Sequence, residues 1–348
     1  MIDTYDYSAL FAKIKAMYGK RLRREDYEEL IRKKSVGEIA AYLKKNPRYE
    51  SALSDISPSD IHRRDLERHL KSVIFSEYFK ISKFVFQKSK DTFDTLIMRY
   101  EIDVLKNMLW LLDGGKIGEF EYYLNLPDFL KKNDDLPLSA LASARDYAQF
   151  MQKLKGTKFE KPLLKFLNLS YPVKNFDIEM ALDQFYFRQI LSRKNKAGKS
   201  DKKALEAIVV SDIDLMNILW IYRARFHYNL PKETVYNLVI PYYHKLNRDM
   251  ISALTESPDA TAFLELARQT SYARVFESTD PREMDLQYKR YLFQLNEKQL
   301  HRNENNFGIV ISYLNILEVE IKNIISIIEG IRYSLEPEQV REYLLLSE

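Results

Sequence analysis

Carboxylates close together on one helix can share acid–base work, and this chain carries two such pairs, Asp212/Asp214 and Glu318/Glu320. General acid–base catalysis needs both groups aimed at one reacting atom. Residues two apart on a helix point to different faces, so neither pair makes a catalytic dyad. The five histidines are His62, His69, His227, His244 and His301. His62 and His69 lie two turns apart on one predicted helix, but no third ligand stands at metal spacing. Lys196-Ala-Gly198-Lys199-Ser200 has the tail of a phosphate-binding loop. The glycine such a loop needs upstream is Arg193 here, and a helix rather than a strand is predicted before it, so no phosphate cradle is expected. HExxH, GxSxG, GxGxxG and DxDxDG patterns are absent. The sequence predicts no catalytic, cofactor-binding or metal residues.

What recurs instead is a carboxylate followed by an asparagine on a long apolar helix. Gly308 to Tyr333 is apolar around most of its circumference, with one polar stripe of Ser312, Asn315, Glu318, Lys322, Ser326 and Glu329. Such a soluble helix is expected to be buried by its neighbours. Charges at its centre exclude a membrane span. Within it, Glu320 precedes Asn323; Asp214 precedes Asn217 in the same way, and Asp103 precedes Asn107 with one extra residue. The period is close to a third of the chain. A second pattern repeats beside the first: Leu22 to Ile31 matches Leu230 to Val239 and Leu335 to Leu344. A duplicated unit inherits its packing solution, so Asn107, Asn217 and Asn323 are expected to anchor their helices by hydrogen bonds in a repeated core position. The other reading has them presenting polar groups to a partner on a common axis. Trp110 and Trp220 are expected in the core.

The elements that position these residues are helical. The chain has 348 residues, 46% hydrophobic and 30% charged, with only 9 Gly and 11 Pro against 24 Tyr and 19 Phe. Few breakers and many long side chains favour helices. Predicted helices include 5–18, 21–34, one from Ser35 through a Ser35/Glu38 capping box, and one from Ser59-Asp60 through Phe79. They continue with 93–112, 138–154, 176–191, 205–227, 234–246, 260–268 and 281–302. A short segment is also expected from Pro127, and no strand is. The expected architecture is all-α, in three similar units over 1–112, 113–228 and 229–348. Cysteine is absent, so no disulfide framework or thiolate metal site is expected. The N-terminus carries no signal-peptide pattern, which points to a cytosolic location. A net charge of +4 does not by itself imply nucleic acid. The most polar run, with Arg193, Lys194, Lys196, Lys199, Lys202 and Lys203, reads as a solvated loop between helices, able to meet anionic lipid headgroups or an acidic partner.

Taken together, the Glu25-Asp-Tyr-Glu-Glu-Leu30 pattern, the three Asp/Glu…Asn helices and the Leu317 to Ile331 run resemble the C subunit of archaeal and bacterial V/A-type rotary ATPases, called d in eukaryotes. The resemblance covers the whole chain. It implies a funnel of three helical bundles with pseudo-threefold symmetry, on the cytoplasmic face of the membrane rotor ring. The mouth would receive the shaft formed by the D and F subunits. The protein would have no catalysis, no cofactor and no transmembrane segment, and would pass torque between shaft and ring, with no nucleic-acid partner. A competing reading is a soluble helical-repeat adaptor that binds an acidic protein or RNA through Arg193 to Lys203.

Overall fold

The computed structural model describes residues 7–115, 136–166, 175–194, 197–302 and 304–347. Among these there is no strand; the protein is all-α. The chain forms two compact units, Met1–Phe84 with Gly198–Glu348, and Val85–Ala197. Neither division falls at 112 or 228, the limits of the expected thirds.

The first unit starts with α1 (Ser8–Tyr18), α2 (Arg24–Ile31), α3 (Val36–Leu43) and α4 (Arg63–Ser82). Ser35 caps α3 by accepting the Glu38 N–H at 3.2 Å, as its spacing predicts. Gly37 lies against Pro58, where a β-carbon would sit 2.2 Å from the Pro58 carbonyl oxygen, so only glycine permits this approach. The start of α4 falls at Arg63 and not at Ser59-Asp60. Ser57 and Ser59 both donate to the Asp60 carboxylate, at 3.1 and 3.0 Å, which makes this stretch a polar turn.

The second unit holds α5 (Gln87–Asp113), α6 (Leu138–Ala142), α7 (Tyr147–Lys153), α8 (Glu160–Leu163) and α9 (Asn175–Lys194). The long helices α5 and α9 pack along each other, with Lys106 Nζ 2.5 Å from Asp183 Oδ1. The single helix predicted over 138–154 is two. Ser143 turns its hydroxyl back to the Ala140 carbonyl, and Asp146 restarts the chain as an N-cap for Gln149 N–H at 2.8 Å. The segment expected from Pro127 lies outside the described residues.

The first unit resumes with α10 (Lys199–Leu205). It passes through a π-helical turn, Glu206–Val210, into α11 (Ser211–Tyr222), and through a second, Arg223–His227. Then follow α12 (Lys232–Leu238), α13 (Arg248–Glu256), α14 (Ala260–Arg268), α15 (Pro281–His301), α16 (Gly308–Arg332) and α17 (Pro337–Tyr343). The apolar α16 is the hub of this unit. Between Gly308 and Gly330 only Lys322 is exposed, and α1, α4 and α15 pack along it. Each buried Ile or Leu there contributes about 1.5–3 kcal/mol, which is why neighbours converge on this helix. Two helices stop in the same way. After α11 and its π turn, Asn229 takes φ 52° and the Leu230 N–H reaches back to the Ala224 carbonyl at 2.8 Å. After α16, Ser334 takes φ 50° and the Leu335 N–H reaches the Gly330 carbonyl at 2.9 Å. These are left-handed helix stops that satisfy otherwise orphaned carbonyls.

Candidate functional site

The residue types that could do chemistry are gathered on the two most buried helices. α11 is buried on nearly every side, so its polar side chains are buried too and must be paired. Asn217 is fully buried and grips the backbone of Ile240 twice. Its Nδ2 donates to the Ile240 carbonyl at 2.9 Å, and its Oδ1 accepts the Ile240 N–H at 2.9 Å. One turn away, Asp214 accepts the N–H groups of His244 (3.2 Å), Lys245 (2.7 Å) and Leu246 (3.3 Å), and the Tyr272 hydroxyl at 2.8 Å. Burial, followed by the Asp214 charge, pushes the Tyr272 phenol far up, so it remains a donor. These bonds explain why the helix predicted over 234–246 ends at Leu238: its last residues are held by side chains of α11 instead.

α16 repeats the arrangement. Asn323 Nδ2 donates to the Leu345 carbonyl at 2.8 Å, and its Oδ1 accepts the Leu345 N–H at 3.0 Å. Glu320 accepts the Leu22 N–H at 3.1 Å and the Tyr49 hydroxyl at 2.6 Å, and meets Arg48 Nη1 at 3.0 Å. Arg48 also donates to the Met17 carbonyl at 2.8 Å. The pair is almost sealed, with side-chain exposures of 2% for Arg48 and 4% for Glu320. Burial raises the Glu320 pKa, and Arg48 with the Tyr49 and Leu22 hydrogen bonds opposes it. The other members of the acid pairs serve elsewhere. Asp212 accepts the Tyr288 hydroxyl at 2.5 Å, and Glu318 lies 3.7 Å from Lys322.

In the second unit the pattern differs. Asp103 and Asn107 are exposed on α5, and Asn107 Nδ2 donates to the Asp103 carbonyl within its own helix, at 2.7 Å. The buried carboxylate of α5 is Glu101, 2.6 Å from Lys158 Nζ. Lys158 precedes the fully buried Phe159, as Arg48 precedes the fully buried Tyr49. Of the two tryptophans expected in the core, Trp220 is buried and Trp110 is 66% exposed.

The contacts also reset the second repeat. Leu22 gives its N–H to Glu320 as Leu246 gives its own to Asp214. Tyr27 and Leu30 are buried on α2 as Ile251 and Leu254 are on α13. Leu22 to Ile31 therefore corresponds to Leu246 to Thr255. The stretches after Leu230 and Leu335 match each other, with Val235 and Val340 both buried. Sequence matching chose the wrong partner because amphipathic helices with acidic first turns share one pattern; the hydrogen bonds distinguish them.

The basic run is not one loop. Arg193 lies in the last turn of α9 and pairs with Asp91 at 3.2 Å, and Gly198 precedes α10, which carries Lys199, Lys202 and Lys203 exposed. Lys196 lies outside the described residues, and Lys194 ends α9. Among the described residues no group of three His, Cys, Asp or Glu side chains could hold a metal ion. None of these helices is long and apolar enough to cross a membrane. Asp214, Asn217, Glu320 and Asn323 spend their hydrogen bonds on the chain itself and so tie its segments together.

An all-α chain tied together by buried carboxylates on long apolar helices is the class that fold and site define. The sequence profile described as ATP synthase (C/AC39) subunit matches residues 10–343, and the chain belongs to that family. It is a subunit of a rotary ATPase. Among its relatives, the C subunit of the A-type ATP synthase of Methanosphaera stadtmanae is 22% identical over 99% of this chain and 89% of its own length. That of Pyrococcus abyssi is 22% identical over 97% and 89%, and that of Thermococcus onnurineus 23% over 97% and 89%.

Proposed function

We propose that this chain is a non-catalytic central-stalk subunit of a V/A-type ATPase. It is a socket that couples the D and F shaft subunits to the membrane rotor ring during ATP-driven ion transport or ATP synthesis. The observation that carries this reading is the family match across residues 10–343. In this reading the protein is peripheral, on the cytoplasmic side of the membrane. A torque-bearing part must not deform, and dense helical packing transmits strain because interiors are little compressible. Buried double hydrogen bonds such as Asn323 to Leu345 add direction to that stiffness.

The same reading carries a funnel of three similar bundles around a pseudo-threefold axis. Among their long helices, α5 packs along α9, and α16 packs along α4 and α15. The repeated nodes at Asp214 and Glu320 support it, with Glu101 and Lys158 as the counterpart in residues 85–197.

The test is co-purification of the tagged chain from its native membranes, with the associated proteins identified by mass spectrometry. Recovery of ATPase head, shaft and ring subunits, with assembly lost on deletion of the chain, is expected. Recovery of RNA or soluble partners without ATPase subunits would overturn the proposal in favour of an adaptor.

A further inference from the structure

A cleft of about 220 Å³ opens in the first unit beside the π-helical turn Glu206–Val210. Its floor is apolar, from Ala207, Ile208 and Leu295, and the buried Ser211 and Gln299 add polar groups. Its rim is basic. His244 and Lys245 come from the extended segment after α12, Lys298 from the last turn of α15, and Arg302 from just beyond it. No Asp or Glu is among its lining residues. Among the described residues, neither Lys298 nor Arg302 has a carboxylate within ion-pair distance.

The cations come from two elements. Lys245 Nζ donates to the Tyr291 hydroxyl at 3.2 Å and lies over the rings of Tyr272 and Tyr291, at 5.5 and 5.9 Å. Asp214 lies behind this segment, with its oxygens already taken by three backbone N–H groups and Tyr272. The helix dipole accounts for cations at the end of α15. It does not account for His244 and Lys245, which converge on the same cleft from another element. Lys298 and Arg302 are four residues apart, a like-charge spacing that is unfavourable without an anion between them. A π-helical turn widens a helix locally and often marks a functional position.

We propose that this cleft binds a compact polyvalent anion bearing phosphate, such as pyrophosphate or a phosphate monoester headgroup. Arg302 offers a planar fork that matches phosphate oxygens, and the lysines supply point charges. The volume falls below the roughly 300–1,000 Å³ of pockets that enclose drug-sized ligands, which favours a small anion over a whole nucleotide. This site is independent of the rotor reading.

The test is calorimetric titration of the full-length chain with sodium pyrophosphate at constant ionic strength, with sodium sulfate as control. A parallel flotation assay uses vesicles of phosphatidic acid in phosphatidylcholine, against phosphatidylcholine alone. Saturable one-to-one pyrophosphate binding is expected. Lys298→Glu/Arg302→Glu should weaken it at least 10-fold, and Lys298→Gln/Arg302→Gln should weaken it by less. Lys155→Glu, on the other unit, should leave it unchanged. Pyrophosphate binding without flotation assigns a soluble phosphate; flotation that the double variants abolish assigns a lipid headgroup. Failure of both assays overturns the proposal, as does equal binding of sulfate or equal binding by the double variants with their helix content intact.

Discussion

Asn323 holds Leu345 by both of its backbone groups, N–H and carbonyl, across 22 residues of sequence. Asn217 holds Ile240 in the same way across 23. An asparagine amide is neutral and presents a donor and an acceptor side by side on a short stem, so it can pair with one residue of extended backbone as a neighbouring strand would. Both asparagines lie three residues after a buried carboxylate that holds a nearby segment. Each pair thus fastens two pieces of irregular chain to one rigid helix.

Replacing either asparagine with alanine leaves a buried N–H and a buried carbonyl unpaired. Asn217→Ala and Asn323→Ala are each expected to cost about 2–4 kcal/mol, as a net hydrogen bond is worth about 1 kcal/mol and each orphaned group adds desolvation cost. Asn107→Ala, on an exposed face, is expected to stay within about 0.5 kcal/mol. Urea unfolding of the three variants separates them.

Arg48 and Glu320 form a buried ion pair, and breaking it from one side leaves an uncompensated charge. Arg48→Met is expected to destabilise by about 3–5 kcal/mol, and adding Glu320→Leu should recover part of that loss. A double-mutant cycle from chemical denaturation reads the coupling. Additive losses would mean that the two side chains act independently.

Two carboxylates should tilt the pH dependence in opposite directions. Hydrogen bonds from Arg341, above all, hold the Glu28 carboxyl below its usual value of 4.5. Its contribution is present above pH 4.5 and is lost as pH falls through the lowered folded value. Burial holds Glu320 above 4.5, so its contribution is present below 4.5 and is lost as pH rises through the raised folded value. Unfolding midpoints measured across this range should fall less steeply on acidification in Glu28→Gln, and less steeply on the rise above pH 4.5 in Glu320→Gln. Unchanged slopes in both would refute the assignment.

A methyl group added at Gly330 would meet Val340 Cγ2 at 2.6 Å. Alanine ordinarily stabilises a helix interior relative to glycine by about 1 kcal/mol. Here the stiff, buried valine cannot swing away, and Gly330→Ala is expected to lower the melting temperature instead. Val340→Ala in the same chain should restore most of the loss, which a thermal scan of the pair would show.

The helical class was legible because α16 and α11 are apolar over more than one face and glycine and proline are scarce. The three-residue step from Asp214 to Asn217 and from Glu320 to Asn323 was legible as well, since it sets both groups on one side of a helix. On α5 the sequence offers two acids, and matching to Asn107 selects Asp103, while the fold buries Glu101. Which acid turns inward depends on the partner, and Lys158 is 57 residues away. Nothing local marks Arg48 and Tyr49 as partners of Glu320 either, because they meet only after the two ends of the sequence come together. The basic cleft was invisible for the same reason: it draws His244 and Lys245 from one segment and Lys298 and Arg302 from another.

The bond from Leu22 to Glu320 spans 298 residues. During synthesis, α2 and α3 leave the ribosome long before the helix that will hold them exists. Residues 85–197 form a compact unit from one continuous stretch and can fold as they emerge. Helices α2 and α3 must instead wait for Glu320, the partner of Leu22, Arg48 and Tyr49, until α16 is complete. They are secured only when a residue 298 positions downstream of Leu22 has been made, although residues 85–197, made in between, need no such delay.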